Sequence, residues 1–435
     1  MPHELDQILI SHKQPEFEDR LVELRSVICQ ATTFNPRSEE GRKVAEIIEE
    51  VWKNGDKAVA EYTKEFDGVE LTSRQFRISR DELEKANREI NQDILASLRQ
   101  AIENVRSYQR DILIDRENLP RGIRYTPIKR VGICVPGASA PLPSTVIMTA
   151  VPAQVAGVKE IAVVSPPRYK GSIDPVILAV CHELGIDKVY RIGGVQAVAA
   201  LADGTKNIPK VDKIVGPGNQ WVQTAKRVVF GQVGVDSVAG PSEVLIVANE
   251  KANPAWVAAD MLSQAEHAPG SAVMFSDSEE FGKKVLDELK KQVGKLSRAD
   301  ETSECLKQYS GIAVFNSLDH AIDKASEFAV EHLQIQCGDE SRGIADKIEN
   351  AGAIFIGDYS PVAVGDYWAG PSHTLPTGGG ARFSSALTSN DFLKSISLVE
   401  YDQEMLAASA DDILRLAGIE GLDAHARSVR IRQQD

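Results

Sequence analysis

The sequence predicts an α/β protein built as two layers, and two observations carry that expectation. From Val131 onward, short β-branched runs alternate with helical stretches, and a second such series follows the first. At 435 residues the chain is also too long for one ordinary core, so two domains with minor extensions are expected. A βα rhythm of this kind predicts mostly parallel sheets with helices on both faces.

The elements follow in order. Residues 1–25 are polar without a strong period and read as an arm or a short helix. From Glu39 to Tyr108 the pattern is helical: Val44, Ile47, Ile48 and Val51 recur at helical spacing, as do Leu95, Leu98, Ile102 and Val105. These helices could pack on either layer. The first series places strands at 131–135, 161–165, 188–192 and 211–215, with helices near 144–157, 173–184 and 195–203. The second places strands at 243–247, 271–275, 311–315 and 353–356, separated by helices near 254–267, 278–293, 317–332 and 340–350. The boundary falls near Ala239-Gly240-Pro241. After Gly378-Gly379-Gly380 the chain turns helical and ends on a polar helix from about Glu420 to Arg432. Four segments result: an arm at 1–25, a layer of 26–130 with 241–380, a layer of 131–240, and a helical tail at 381–435.

Bulk properties exclude several classes. Hydrophobic content of 43% with 26% charged residues describes a soluble globular protein. A net charge of −14 argues against nucleic acid, whose phosphates need clustered Lys and Arg. The cysteines (Cys29, Cys134, Cys181, Cys305, Cys337) are scattered with no Cys-x-x-Cys, which fits a reducing cytoplasm. No secretory signal and no membrane-length apolar run is visible, so a cytoplasmic location and no membrane partner are expected.

Several polar constellations interrupt this apolar frame. Gln264 and His267 stand three residues apart at the end of a helical stripe containing Val257 and Met261, with Asn253 as cap and Pro254 as first helical residue. Metal coordination would satisfy a buried amide there, and so would ordinary core hydrogen bonding. Glu331 and His332 follow the stripe Leu318, Ala321, Ile322, Ala325 and Ala329, where helical texture gives way to strand. A carboxylate beside an imidazole can divide water activation from proton movement, although Glu-His dipeptides are common. Asp366 and His373 lie in a Gly/Pro-rich segment with aromatics between them, which has the composition of a binding loop. His425 shares a face with Leu422 and Val429, as an interface histidine would. Glutamine, aspartate and two histidines would together make a nitrogen/oxygen zinc site without thiolate. No Gly-x-Gly-x-x-Gly is present. The nearest is Gly216-Pro217-Gly218-Asn219, after a strand and before a helix whose start could hold an anion, with Trp221 in the third glycine position. Gly193-Gly194-Val195-Gln196 is a second strand-to-helix turn.

In combination these motifs are far more specific. From about residue 20 to 432 the chain resembles the histidinol dehydrogenases. The resemblance runs through Val135-Pro136-Gly137, Gly193-Gly194-Val195-Gln196, the run from Val211 to Asn219, and Ala239-Gly240-Pro241-Ser242-Glu243. It continues through Ser263-Gln264-Ala265-Glu266-His267, Glu331-His332-Leu333, Gly365-Asp366-Tyr367, His373-Thr374-Leu375-Pro376-Thr377, Glu420-Gly421-Leu422 and Ala424-His425.

The resemblance implies two Rossmann-like, doubly wound domains in a homodimer whose tails cross. It implies one zinc per subunit on Gln264, His267, Asp366 and His425 of the partner subunit. It makes Glu331 and His332 the acid–base pair, assigns Ser242 and Glu420 to substrate along with the zinc ligands and His332, and assigns Gln196 and Asn219 to NAD. The implied reaction takes L-histidinol to L-histidine through the aldehyde with two NAD, the last step of histidine biosynthesis. Zinc would fix the substrate's imidazole and amino nitrogens, placing its alcohol carbon for hydride transfer.

Two positions depart from the family's usual pattern: Cys134, where an aromatic residue is frequent, and Ser372, where Asn is frequent. Three other readings were weighed. A zinc- and NAD-dependent relative acting on another polar alcohol, such as a hydroxy-sulfonate diol, would need anion-binding residues in place of contacts such as Glu420. A zinc hydrolase would need room for a catalytic water beside four protein ligands. A non-catalytic zinc protein would have no use for Glu331 and His332.

Overall fold

The structure, a computed structural model, describes residues 2–30, 38–116, 122–137, 141–267 and 269–433. The side chain of Cys29 and the parts of the expected segments at 1, 31–37, 117–121, 138–140, 268 and 434–435 lie outside the described residues. The chain divides into two compact units, Met1–Leu113 with Pro127–Phe392, and Ile114–Thr126 with Leu393–Asp435. In chain order the strands are β1 (Leu9–Ser11), β2 (Ile123–Pro127), β3 (Arg130–Cys134), β4 (Glu160–Val164), β5 (Lys188–Tyr190), β6 (Lys213–Val215) and β7 (Gly234–Val235). They continue as β8 (Glu243–Ala248), β9 (Ser271–Ser276), β10 (Gly311–Val314), β11 (His332–Gln336), β12 (Ala353–Ile356) and β13 (Leu393–Ser397).

The larger unit holds both α/β layers. One is a five-stranded sheet ordered β5-β4-β3-β6-β7, the other a six-stranded sheet ordered β1-β10-β9-β8-β11-β12, and every pairing in both is parallel. Parallel strands covered on both faces read as unbroken apolar runs, which is why this part of the sequence is legible. Alternation then sorts their side chains to opposite faces. On β8, Val244 and Ile246 enter one core with Val257, Met261 and Phe281, while Leu245 and Val247 enter the other with Phe275, Ile322 and Phe328.

Four features differ from the sequence reading. The arm contributes β1, which pairs with β10, and Leu5, Ile8 and Ile10 are buried. The helices between 39 and 111 pack chiefly on the five-stranded layer, and the last of them also reaches Trp368 and Gly370. Glu39–Asn54 lies against Gly194–Asp203, Arg80–Glu89 against Pro175–Glu183, and Gln92–Asp111 against Pro143–Ala156. The reason is their apolar stripe: Val44, Ile47, Ile48 and Val51 join the core of Val195, Val198 and Leu201. The helix expected over 317–332 stops at Phe328, because Ala329 turns to φ 53°, ψ 50°. That left-handed conformation costs a non-glycine residue on the order of 1 kcal/mol. It reverses the chain so that His332 opens β11, a central strand flanked by β8 and β12. The helix expected near 340–350 is the short Ser341–Ala345.

In the smaller unit β2 pairs with β13, and the helices Gln403–Ile419 and Asp423–Arg430 pack on one another. Among the described residues no helix is long and apolar enough to cross a membrane.

Candidate active site

In the five-stranded sheet the strand order reverses between β3 and β6. Open parallel sheets bind ligands in the crevice at the carboxyl ends of strands flanking such a reversal. A cleft of about 480 Å³ opens there, lined by Cys134 and Gly137 after β3, Pro166 after β4, Gln196 after β5, and Asn219 and Trp221 after β6. The walls approach closely because glycine permits it. Gly216 has φ +105°, and a Cβ there would stand 2.3 Å from the Cys134 carbonyl oxygen.

A buried ion pair fixes this turn. Asp236 accepts from the Gly216 N–H at 2.7 Å, Lys226 donates to the Gly216 carbonyl at 3.1 Å, and the two side chains pair with one another at 3% and 1% exposure. Removing one partner strands the other charge. Lys226→Met is therefore expected to lower unfolding free energy by about 3–5 kcal/mol, read from the shift of the urea midpoint. An unchanged midpoint would contradict the role assigned to the pair.

Gln196 is fully buried at the cleft wall, and neither atom of its amide has a hydrogen-bond partner. An unsatisfied buried polar group costs about 1–3 kcal/mol, so such an amide is a place where a ligand gains affinity. Asn219 caps the helix Gln220–Val229, its Oδ1 accepting from the Val222 N–H at 3.2 Å. The Cys134 thiol is pushed up to about 12 by burial, so it lines the cleft as a small neutral group.

The second constellation sits at the amino ends of the six-stranded sheet, where Glu243 begins β8 and His332 begins the neighbouring β11. The Glu331 Oε2 accepts from the Glu243 N–H at 3.0 Å, and the Glu243 Oε1 accepts from the Glu331 N–H at 3.1 Å. The Ser242 hydroxyl also donates to the Glu331 carboxylate. Burial, and the Glu243 carboxyl beside it, hold Glu331 well above the ordinary carboxylate range. Burial likewise raises Glu243, to about 8, against the N–H donors it accepts from Glu331 and Gly378.

The His332 Nδ1 lies 3.1 Å from the Glu243 carbonyl oxygen. A carbonyl can only accept, so Nδ1 carries the proton and Nε2 keeps its lone pair. Nε2 is buried without a hydrogen-bond partner, 3.9 Å from Asp366 Oδ1. Burial lowers the pKa of His332 to about 4, so the ring is neutral at physiological pH. It lines a cavity of about 270 Å³ together with Phe355, Asp366, Ser372 and His373.

Asp366 stands on the short helix Val362–Tyr367, which lies hard against β12: a Cβ on Gly365 would meet the Phe355 ring at 2.6 Å. Burial raises Asp366 to about 6. Ser372 is buried, and its hydroxyl donates to the Met148 carbonyl at 2.9 Å.

The helix bearing Gln264 ends at Ala265, so His267 follows the cap rather than sharing the helix. The His267 N–H still bonds the Gln264 carbonyl at 3.2 Å. Gln264 is 2% exposed and its Nε2 has no partner, while His267 is exposed. Surrounding protein and the Arg298 guanidinium keep His267 below the usual histidine range, although Glu266 opposes them. His267 and His373 are near enough to His332 to disfavour its protonation.

Among the described residues no cluster of three His, Cys, Asp or Glu side chains is arranged to hold a metal. The expected set is consistent with that, because one of its members is a glutamine and another is expected from a second chain. A carboxylate raised by burial is what a cation would relieve, and the Gln264 carbonyl oxygen and the His267 ring are neutral donors for one, so these residues fit it. Glu420 and His425 lie in the smaller unit, both exposed: Glu420 ends the helix Gln403–Ile419, and His425 is on Asp423–Arg430. Sequence reasoning assigned no role to Glu243, although a glutamate opening an otherwise apolar strand is a legible signal.

Comparisons with known proteins show the family. The family model described as histidinol dehydrogenase matches residues 33–433. A histidinol dehydrogenase of Rhodopirellula baltica is 47% identical over 397 residues, covering 90% of this chain and 86% of that protein. One from Synechococcus sp. is 44% identical, covering 94% and 95%. A crystal structure of histidinol dehydrogenase from Elizabethkingia anophelis superposes with a TM-score of 0.88 at 34% identity, covering 98% of this chain and 97% of that one. Family model, relatives and fold agree over nearly the whole chain: it belongs to the histidinol dehydrogenase family.

Proposed function

We propose that this protein is a cytoplasmic, homodimeric NAD-dependent enzyme that oxidises L-histidinol to L-histidine through L-histidinal, the last step of histidine biosynthesis. The observation that carries this reading is the pairing at the head of β11: a neutral imidazole with an unpartnered Nε2, beside a buried carboxyl with raised proton affinity.

NAD in the cleft of the five-stranded sheet, held by Gln196 and Asn219, supplies the hydride acceptor for each half of the reaction. Zinc on Gln264, His267, Asp366 and His425 of the partner subunit supplies a positive charge that anchors nitrogen donors of the substrate. The chain's own groups move the protons. His332 takes the alcohol proton at Nε2 as hydride leaves the carbinol carbon, which gives the aldehyde. Glu331 takes a proton from water as its oxygen bonds to the aldehyde carbon and His332 returns its proton to the aldehyde oxygen, giving the hydrated aldehyde. Loss of a second hydride from that carbon, with a hydroxyl proton passing to His332, gives the acid. One alcohol, one water and two NAD become one carboxylate, two NADH and three protons. Ser242 is set against Glu331, and Glu420 is the remaining substrate contact.

Buried, free Cys134, Cys181, Cys305 and Cys337 suit a reducing compartment. The test is NADH formation from L-histidinol against L-alaninol, which keeps the amino alcohol and lacks the imidazole. kcat/KM for L-histidinol is expected to exceed that for L-alaninol by about 10²-fold or more. Equal rates, or no NADH from L-histidinol, would overturn the reading.

A further inference from the structure

Glu243 has no counterpart in the chemistry above, yet it touches the acid–base pair from three directions. Its N–H is bonded by the Glu331 Oε2 at 3.0 Å, and its carbonyl receives the His332 Nδ1 at 3.1 Å. Its own Oε1 accepts from the Glu331 N–H at 3.1 Å and from the Gly378 N–H at 3.1 Å. The side chain is nearly wholly buried. Sheet pairing explains little of this, because the β8–β11 register begins one step inward, at His332 with Val244. A single carboxyl oxygen therefore ties the backbone of Glu331 to the turn that follows Thr377. The neighbouring segment is stitched to that turn as well, the Gly240 N–H donating to the Thr377 hydroxyl at 2.5 Å.

Burying a carboxyl is unfavourable, and a valine opening β8 would fill an apolar strand without that penalty. The carboxyl does something an apolar side chain cannot: it holds two main-chain donors from separate segments on one oxygen. Glu331 follows the left-handed Ala329 by two residues; its carbonyl accepts from the Ala353 N–H at 2.9 Å, whereas its N–H is held by the Glu243 carboxyl.

We infer that Glu243 is a positioning residue for the water-activating step: by clamping the Glu331 backbone to the Gly378 turn it sets the Glu331 carboxylate at the aldehyde carbon. This rests on the assignment of Glu331 as the base for water. Hydride loss from the alcohol needs His332, whose contact to Glu243 is through a main-chain carbonyl that any residue at 243 supplies. The two halves of the reaction therefore depend differently on this side chain.

The test compares Glu243→Ala, Glu243→Gln and Glu331→Gln with the unaltered enzyme. NADH formation is followed from L-histidinol in a single turnover and, separately, from L-histidinal, with thermal melting as a check on folding. Misplacing a reacting group by about 1 Å lowers rates about 10²-fold, so Glu243→Ala is expected to slow the aldehyde half by about that factor. Its alcohol half and its KM for L-histidinol should stay within about threefold, since His332 keeps its carbonyl partner. Glu243→Gln, whose amide oxygen can still accept the Glu331 and Gly378 N–H groups although the Gly379 donor to the carboxyl is weakened, is expected to recover most of the aldehyde rate. Equal slowing of both halves in Glu243→Ala, or no slowing of either, would overturn the inference. If Glu243→Ala does not fold, Glu243→Gln and Glu243→Asp decide: the shorter Asp must lose the aldehyde half selectively while Gln keeps it. The control separates the two layers of the account. A fast aldehyde half in Glu331→Gln sinks the assignment of Glu331 itself, whereas a slow one beside a normal Glu243→Ala sinks only the role of Glu243.

Discussion

A Glu331→Gln enzyme is expected to begin the oxidation of L-histidinol and to stall at the aldehyde. The substitution keeps the side chain's shape, and its amide oxygen can still accept from the Glu243 N–H that Glu331 Oε2 accepts from at 3.0 Å. What it loses is the ability to take a proton from water. Positioned acid–base groups contribute about 10²–10⁴-fold, so NADH formation from L-histidinal should fall by that much while the alcohol half changes less than about tenfold. The pH dependence carries the same assignment. Glu331 works as a carboxylate, and burial raises its pKa, so the aldehyde half should fade as pH drops through that raised value. His332 is lowered to about 4, so its protonation lies further down and does not set that limb. A rapid-mixing trace with L-histidinal as substrate reads both effects. A normal aldehyde rate in the variant would remove Glu331 from the mechanism.

The second large effect concerns the metal. Within one chain the candidate ligands are the buried Gln264, His267 and Asp366, whose carboxyl burial raises to about 6. An incomplete set leaves those groups burdened, so His267→Ala and His425→Ala should each lose stoichiometric zinc and activity without unfolding. Mixed dimers of the two variants then separate a ligand supplied across subunits from one supplied within a chain. If His425 serves the partner's site, the His425→Ala chain keeps its own His267 and receives an intact His425 from its partner. One site in two is restored, and zinc analysis should find one ion per mixed dimer. If His425 served its own chain, both sites would stay broken and the mixed dimer would bind none.

Much of this architecture was readable because parallel strands buried on both faces leave continuous apolar runs, as in β8 and β9, where every residue is buried. The strand that carries the site was legible only as strand texture after His332. β11 reads His332-Leu333-Gln334-Ile335-Gln336, and its two glutamines look like a solvent face. Instead Gln334 and Gln336 donate to the same Asp260 carboxylate at 3.0 and 2.7 Å, a satisfaction that only tertiary packing supplies. The preceding helical stripe overran for a related reason, since its stop signal is an alanine in a conformation that usually announces itself as glycine. β1 is three residues long and takes its identity from β10.

Among the site residues, Gln264, His267, Glu331, His332 and Asp366 stood out as polar interruptions of apolar stripes or as loop chemistry. Glu243 offered only a glutamate opening an apolar strand, and its part rests on main-chain contacts that no pattern displays. Glu420 and His425 are exposed in their own unit, and the proposed work of His425 lies in a second copy of the chain.

If one site performs both oxidations, as proposed, the aldehyde is consumed where it forms. Counting NADH per L-histidinol consumed, in the presence of an aldehyde trap, tests this most directly. Two NADH, one L-histidine and no trapped aldehyde are predicted. One NADH with L-histidinal captured in equal amount would contradict the account, because the Glu331 half of the site would then have no reaction to perform.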